Sequence, residues 1–262
     1  MRLALKLKVC SKDCIIPINY QYPLQSWIYK VIQEADANFS TFLHEQGYEN
    51  GDKVFKFFNF SAIKGVPYQV QQDRLIYHTD TLTIKVSFLL PEVLQKFVIG
   101  IFNKQRFSLG DKKSRASFEV VEVQMLPEPE FSNMMLYRAS TPVVISKKEL
   151  TDKYAQYLSP KDSRYSTCFV NHLIEKYKVA APQLVDDSAD VIDDMIDIKW
   201  ELNSSPRKKG VIIKDGTPQK TQIIGYVYDF ELTAPAEIHQ MAYNAGFGEK
   251  NSLGFGFCQL LN

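Results

Sequence analysis

The chain has 262 residues, of which 45% are hydrophobic and 13% aromatic, and this composition predicts one large globular domain or two of about 130 residues each. Its 31 basic and 30 acidic residues nearly cancel, which excludes binding to a polyanion by net charge alone. No apolar run approaches the roughly 20 residues of a membrane span, so we expect a cytoplasmic protein with no membrane partner.

The first half of the chain predicts the order βαββαβ. Its elements are a strand over 1–10, a helix and a shorter helix over 23–36 and 37–48, strands over 53–63 and 82–90, a helix over 91–105 and a strand over 116–126. Residues 126–133 carry two prolines and no apolar periodicity, which predicts a link between domains.

The second half repeats this pattern. Its elements are a strand over 133–146, a helix over 163–179, strands over 194–203 and 220–234, a helix over 235–246 and a strand over 253–261. We therefore expect an α+β protein of two tandem ferredoxin-like (RRM-like, βαββαβ) domains, residues 1–126 and 131–262.

The four cysteines do not predict a metal site. Cys10 and Cys14 are separated by three residues, but no second cysteine or histidine pair has the spacing of a zinc site. We expect reduced structural thiols, no metal and no cofactor.

Residues 246–257, GFGEKNSLGFGF, form a glycine-rich loop that holds four of the twelve glycines. The spacing does not match the dinucleotide fingerprint, in which the third glycine would fall at Asn251, and no Gly-Lys-Ser/Thr follows as in a P-loop. Because glycine has no Cβ, the loop predicts close approach of a phosphodiester backbone. A tight turn from helix to strand is the alternative.

Residues 244–261, NAGFGEKNSLGFGFCQLL, resemble the C-terminal glycine-rich signature of the CRISPR-associated protein six family of repeat-processing endoribonucleases. Residues 17–48 and 53–63 are similar to that family's first helix, its histidine-bearing helix and the next strand, and residues 157–177 resemble its second-domain helix. The family belongs to a superfamily with tandem ferredoxin-like domains, in agreement with the predicted elements.

The resemblance implies cleavage of CRISPR precursor transcripts within their repeats, without a metal. In this reaction the ribose 2′-OH attacks the adjacent phosphodiester and leaves a 2′,3′-cyclic phosphate and a 5′-OH. The protein must then supply a group that removes the 2′-OH proton, a group that protonates the leaving oxygen, and a donor or cation beside the phosphorane.

The resemblance also implies catalytic residues. His44 lies where the family has its catalytic histidine, and imidazole, with an unperturbed pKa near 6.5, suits proton transfer at neutral pH. Tyr29, fifteen residues earlier, matches the family's tyrosine. Lys53 and Lys56 both match its lysine, and we prefer Lys53 because Lys56 would share a face with apolar side chains in a straight strand. From the residues alone, a surface histidine and a packed tyrosine remain the alternatives.

Two segments are predicted to bind RNA. They are the glycine-rich loop, through Gly246, Gly248, Lys250, Asn251, Ser252, Gly254 and Gly256, and a basic hairpin, through Arg207, Lys208 and Lys209. Another basic stretch, 103–115, could also meet phosphates or be a solvated loop. We expect the acidic run at 186–197 to face away from RNA, and we expect His78, His172 and His239 to be surface or core residues.

The sequence is also compatible with two other functions. One is a non-catalytic subunit that binds repeat RNA in a CRISPR effector complex, and His44 argues against it. Another is a ferredoxin-like regulatory domain that binds a small phosphate ligand. The expected partner is CRISPR repeat RNA, while other effector subunits and a homodimer are left open.

Overall fold

The computed structural model describes residues 1–51, 53–148, 154–184 and 198–261. The acidic run predicted to face away from RNA, 186–197, lies outside the described residues. Within the described ranges, no helix has both the length and the apolar character needed to cross a membrane.

The first half of the chain is built around one five-stranded sheet. Its elements are β1 Arg2–Val9, β2 Cys14–Pro17, α1 Gln21–Ala35, α2 Ala37–Glu45, β3 Tyr48–Asn50, β4 Lys53–Phe55, β5 Phe58–Phe60, β6 Tyr68–Gln71, β7 Arg74–Tyr77, β8 Thr81–Phe88, α3 Pro91–Asn103, β9 Arg106–Gly110 and β10 Arg115–Leu126. The sheet has the order β5-β8-β1-β10-β9, and its pairs are antiparallel. Strands β2, β7 and β6 form a separate small sheet, and β3 pairs with β4.

The second half is built around a four-stranded sheet. Its elements are β11 Met134–Ala139, β12 Ser146–Lys147, β13 Gln156–Tyr157, α4 Tyr165–Ala180, β14 Lys199–Leu202, β15 Arg207–Ile213, β16 Thr221–Val227, β17 Asp229–Thr233, α5 Ala236–Ala245 and β18 Cys258–Leu260. The sheet has the order β14-β17-β11-β18. Short 3-10 helices lie at Ala181–Gln183 and Asn251–Leu253.

Both sheets have the topology of a ferredoxin-like unit. In the first, the strands of the βαββαβ pattern are β1, β5, β8 and β10; in the second they are β11, β14, β17 and β18. Numbered within each unit, both sheets have the order 2-3-1-4. The predicted α+β class and tandem ferredoxin-like fold are therefore confirmed. Residues 127–133 of the predicted link lie between β10 and β11, and the division into domains 1–126 and 131–262 stays a prediction.

The alternation seen in the sequence decides which face of each strand is buried. In β1, Leu3, Leu5 and Leu7 are at most 2% exposed, whereas Lys6 and Lys8 face solvent. In α1, Leu24, Ile28 and Ile32 follow the helical period and are completely buried. The helices thus cover one face of the first sheet.

Three of the predicted strands are wrong as single elements. The predicted strand over 133–146 is split into β11 and β12, which lie in different sheets. The predicted strand over 53–63 is split into β4 and β5 because Phe57 has a φ of 51°, a left-handed conformation that interrupts a strand. Its ring packs against Tyr48 and Phe55. The predicted strand over 220–234 is split into β16, which pairs with β15, and β17, which lies in the four-stranded sheet.

The two units meet through polar contacts between β1, β8 and α5. The buried guanidinium of Arg2 lies 3.3 Å above the ring of Tyr243 and donates a hydrogen bond to that residue's carbonyl. Burial lowers the pKa of Arg2 to about 10. The hydroxyl of Ser87 donates to the carbonyl of Asn244 at 2.6 Å. These contacts fix the position of α5 and of the glycine-rich loop that follows it.

Candidate active site

A cleft of about 620 Å³ lies where the first unit faces the glycine-rich loop. We call it the lysine-lined cleft because the charged side chains among its described lining residues are six lysines and one glutamate, namely Lys53, Lys56, Lys147, Lys148, Lys176, Lys250 and Glu249. Such an excess of positive charge attracts a phosphodiester backbone.

The structure brings Tyr29 and His44 together. Tyr29 lies on α1 and His44 on the last turn of α2, and their ring centroids are 4.8 Å apart in an edge-to-face arrangement. Asp36 ends α1 and caps α2 by accepting a hydrogen bond from the amide of Phe39. The Ser40 hydroxyl, which donates to the carbonyl of Tyr29 at 3.0 Å, holds the two helices together. His44 is exposed, whereas Tyr29 is only 8% exposed.

The Tyr29 hydroxyl reaches the edge of the lysine-lined cleft. It contacts the side chain of Ser252, which lines that cleft, and the Tyr29 ring packs edge-on against Phe58. Burial raises the pKa of Tyr29, so its hydroxyl stays protonated at neutral pH. It can therefore donate a hydrogen bond or a proton, but it cannot act as a base in that range.

Both candidate lysines line the lysine-lined cleft, with different contacts. The Lys56 ammonium donates to the carbonyl of His44 at 3.0 Å, and its pKa is lowered by burial. Lys53 forms an ion pair with Glu175 of α4. The reason for preferring Lys53 was wrong, because the chain is not a straight strand through Phe57. Lys53 as the catalytic lysine stays a prediction, and Lys56 lies nearer the backbone of His44.

The glycines of the glycine-rich loop are buried and packed against the protein itself. All four have positive φ, and a Cβ would overlap the Phe60 ring at Gly254 and the Phe247 carbonyl at Gly256. The amide of Gly254 donates to the Asn251 carbonyl and that of Gly256 to the Pro142 carbonyl. Internal packing therefore requires these glycines, a reason the sequence did not supply. Their contact with RNA stays a prediction.

The three residues at the tip of the glycine-rich loop differ in their contacts. Both N–H groups of the Asn251 amide donate within the loop, to the carbonyls of Phe247 at 3.0 Å and Phe255 at 2.9 Å. Ser252 accepts a hydrogen bond from the Gln25 amide at 3.0 Å. Lys250 is exposed and lines the lysine-lined cleft. Of the three side chains, that of Lys250 is best placed to contact a phosphate, because it is charged and exposed. RNA binding by all three residues stays a prediction.

Sequence reasoning missed Lys176 of α4. It is 1% exposed, and its ammonium donates to the carbonyls of Gly246 at 2.6 Å and Gly248 at 3.0 Å and to the Asn251 side chain at 2.7 Å. The signal was present in the helical period, because Lys176 continues the buried stripe of Phe169 and Leu173.

His172, one turn before Lys176, also lines the lysine-lined cleft, and its ring contacts Phe55. Burial and the nearby charges of Lys176, Lys53 and Lys250 hold its pKa well below the usual range. The other two histidines are as predicted, since His78 is exposed and His239 is a core residue.

The basic hairpin, β15 and β16, lies beside the glycine-rich loop. Val211 and Ile223 of the hairpin pack with Phe255 of the loop, and Arg207, Lys208 and Lys209 are exposed. RNA contact by these three side chains stays a prediction. In the other basic stretch, Lys104 and Arg106 are paired with the carboxylates of Glu34 and Glu119.

Comparisons with known proteins identify the family of this chain. The family described as CRISPR-associated protein Cas6, N-terminal, matches residues 15–124, and CRISPR associated protein Cas6, C-terminal, matches residues 126–260. The chain is 25% identical, over an alignment 268 positions long, to the CRISPR-associated endoribonuclease Cas6 of Pyrococcus furiosus, covering 99% of this chain and 90% of that protein.

Two further proteins extend the comparison. The CRISPR-associated endoribonuclease Cas6 1 of Methanocaldococcus jannaschii is 25% identical over 258 residues, covering 98% of this chain and 91% of that protein. A solved structure from the characterization of a Cas6-related gene of Pyrococcus furiosus has a TM-score of 0.80 at 23% identity, covering 100% of this chain and 98% of that one. The chain therefore belongs to the Cas6 family of CRISPR-associated proteins.

Proposed function

We propose that this protein is a metal-independent endoribonuclease that cleaves CRISPR precursor transcripts within their repeats to release guide RNAs. The observation that carries the proposal is the contact between the rings of Tyr29 and His44, at 4.8 Å, beside the lysine-lined cleft. Membership of the Cas6 family supports it, since relatives from Pyrococcus furiosus and Methanocaldococcus jannaschii are named endoribonucleases.

The reaction uses the substrate's own nucleophile. The O2′ of the ribose forms a bond to the adjacent phosphorus as its proton leaves, and the bond from phosphorus to O5′ breaks as that oxygen gains a proton. The products are a 2′,3′-cyclic phosphate and a 5′-OH. We assign proton transfer to His44, because it is the exposed imidazole beside the lysine-lined cleft.

Tyr29 and a lysine stabilise the transition state in this proposal. A tyrosine hydroxyl that stays protonated can donate to a phosphorane oxygen, and the lysines of the lysine-lined cleft balance the charge that develops there. His172 is unsuited to proton uptake at neutral pH, because its pKa is held well below the usual range.

Phosphate contacts outside the reaction centre hold the RNA. We assign them to Lys250 and to Arg207, Lys208 and Lys209 of the basic hairpin. Because the proposed substrate is a transcript, we place the protein in the cytoplasm. Other CRISPR effector subunits and a second copy of this chain are further proposed partners, which co-purification and sedimentation with repeat RNA test.

The test is cleavage of labelled repeat RNA from the host's own CRISPR array in the presence of EDTA. We expect one cut per repeat, a 2′,3′-cyclic phosphate and a 5′-OH. A substrate in which hydrogen replaces the single 2′-OH before the scissile bond should bind but not be cut. Cleavage of that deoxy substrate contradicts the mechanism, and tight binding with no cleavage of the natural RNA favours the non-catalytic subunit instead.

A further inference from the structure

The ammonium of Lys176 is buried at the centre of the glycine-rich loop. It has three N–H donors, and it meets three oxygen acceptors within 3.0 Å: the carbonyls of Gly246 and Gly248 and the side-chain oxygen of Asn251. Each donor therefore has its own partner in the loop, although Lys176 itself belongs to α4, some seventy residues earlier in the chain.

Asn251 extends the hydrogen-bond network of Lys176 across the loop. While its oxygen accepts from Lys176, its amide nitrogen donates to Phe247 at the start of the loop and to Phe255 near the end. Lys176 and Asn251 together thus fix both ends of the loop and the carbonyls between them. A network in which every polar group is paired holds a single geometry.

The next residue in the loop connects this cluster to the first unit. The Ser252 hydroxyl accepts a hydrogen bond from the side-chain amide of Gln25 at 3.0 Å and contacts the hydroxyl of Tyr29, one turn further along α1. A continuous path therefore runs from Lys176 through Asn251 and Ser252 to Tyr29.

Stability alone does not explain a lysine at this place. Lys176 continues an apolar stripe of α4, where a methionine would fill similar space without the cost of removing an ammonium from water. A buried ammonium at this place is explained if its three hydrogen bonds must hold the loop in one position relative to α1.

We propose that Lys176 is a positioning residue that, through Asn251 and Ser252, fixes the Tyr29 hydroxyl for the cleavage reaction. This proposal rests on the proposed function. It assigns Lys176 no contact with RNA, since its three donors are all used within the protein. Loss of Lys176 is therefore expected to slow the chemical step and leave RNA binding nearly unchanged.

The experiment compares Lys176→Met with Lys178→Met, which removes an exposed lysine from the same helix. Single-turnover cleavage rates are measured at saturating protein, and RNA affinity and thermal unfolding are measured separately. We expect Lys176→Met to lower the rate of the folded protein about 10- to 100-fold, as misplacement of a reacting group does, with affinity within about threefold of wild type. Lys178→Met should cleave at the wild-type rate.

Ser252→Ala removes the contact to Tyr29 without changing the core. It should also slow cleavage, and adding Lys176→Met to it should cause little further loss, because both changes act through the same contact. If the double variant instead loses the product of the two single rate losses, Lys176 and Ser252 act independently, and the path from Lys176 to Tyr29 is contradicted. If Lys176→Met does not fold, Lys176→Gln replaces it, and wild-type cleavage by Ser252→Ala overturns the proposal whichever Lys176 variant folds.

Failure of the proposed function would give a different result. Wild-type protein that binds but does not cut repeat RNA contradicts the endoribonuclease proposal. In that case, hydrogen exchange at residues 247–256 still tests whether Lys176 anchors the loop. Faster exchange in Lys176→Met, but not in Lys178→Met, supports Lys176 as the anchor of the loop. Equal exchange in both variants overturns it.

Discussion

The two walls of the lysine-lined cleft place their polar groups differently. The first unit directs its functional groups outward: His44 beside the cleft and Lys53 in its lining are exposed, and Lys56 in its lining is half-buried. The opposite wall, the glycine-rich loop, directs most of its polar groups inward, where Lys176 and Asn251 pair with backbone carbonyls. Apart from Lys250 at the tip, the side chains of that wall hold the loop in one position.

The groups proposed to react with RNA therefore lie on the first unit, and the groups that hold them in position lie in the glycine-rich loop. An imidazole that exchanges protons with a substrate must be reachable, so its side chain cannot be locked into the core. The hydroxyl of Tyr29 must instead point at one place, and the buried loop fixes it through Ser252. Changes in the outward wall should therefore affect chemistry, and changes in the inward wall should affect stability and positioning.

The largest effect is expected from His44, beside the lysine-lined cleft, in comparison with His172, which lines it. His44→Ala should slow cleavage by the roughly 10²- to 10⁴-fold typical of a lost general acid or base, with little change in RNA affinity or melting temperature. His172→Ala serves as the matched control, because its low pKa keeps that imidazole neutral. We expect it to cleave within about threefold of wild type, measured as single-turnover rates. The reverse order of the two variants would move proton transfer to α4.

A smaller effect, on stability, is expected from a glycine of the inward wall. Gly254→Ala places a Cβ against the ring of Phe60 at a φ of 79°, so strain and overlap add. We expect a loss of about 2–4 kcal/mol, which lowers the melting temperature by roughly 5–12 °C for a chain of this size.

Gly216→Ala is the control for that loss. Gly216 has a φ of 73° but nothing within 4 Å of its Cβ position, so only backbone strain applies, about 1 kcal/mol. Calorimetry of both variants separates strain from overlap. If Gly254→Ala melts like wild type and binds repeat RNA more weakly, the loop contacts RNA as the sequence predicts and the packing explanation fails.

The sequence predicts the outward wall better than the inward one. Helical periodicity over 23–48, with a break at Asp36, places Tyr29 and His44 on neighbouring helices, and both signals are local. The succession of strands and helices along the chain, βαββαβ in both units, also follows from local patterns. What the resemblance adds is the role of these residues, since a tyrosine beside a histidine has no unique function by itself.

The remaining features depend on contacts between distant segments. Phe57 takes a left-handed conformation while its ring packs against Tyr48 and Phe55, and no rule of strand propensity anticipates this. Strand β6 has four exposed residues and so lacks the alternation by which a strand is recognised. The partners of Lys176 lie some seventy residues away, so the sequence could mark this lysine as unusual but could not name its acceptors.

The effect that is smallest at each step of the measurement, about 1.4 kcal/mol per pH unit, is a pH dependence of stability in the inward wall. Burial lowers the pKa of Lys176 from 10.5 to about 7. Between these values the unfolded chain holds a proton that the folded chain has lost, so the free energy of unfolding rises with pH by up to about 1.4 kcal/mol per unit. This contribution is complete above pH 10.5 and is lost as the pH falls through about 7.

Lys176→Met lacks this contribution, while every other titrating group is common to both proteins. Urea unfolding of the two proteins should therefore give a difference that is flat below about pH 7 and changes in favour of wild type above it. A constant difference would mean that the three oxygen acceptors keep Lys176 charged throughout.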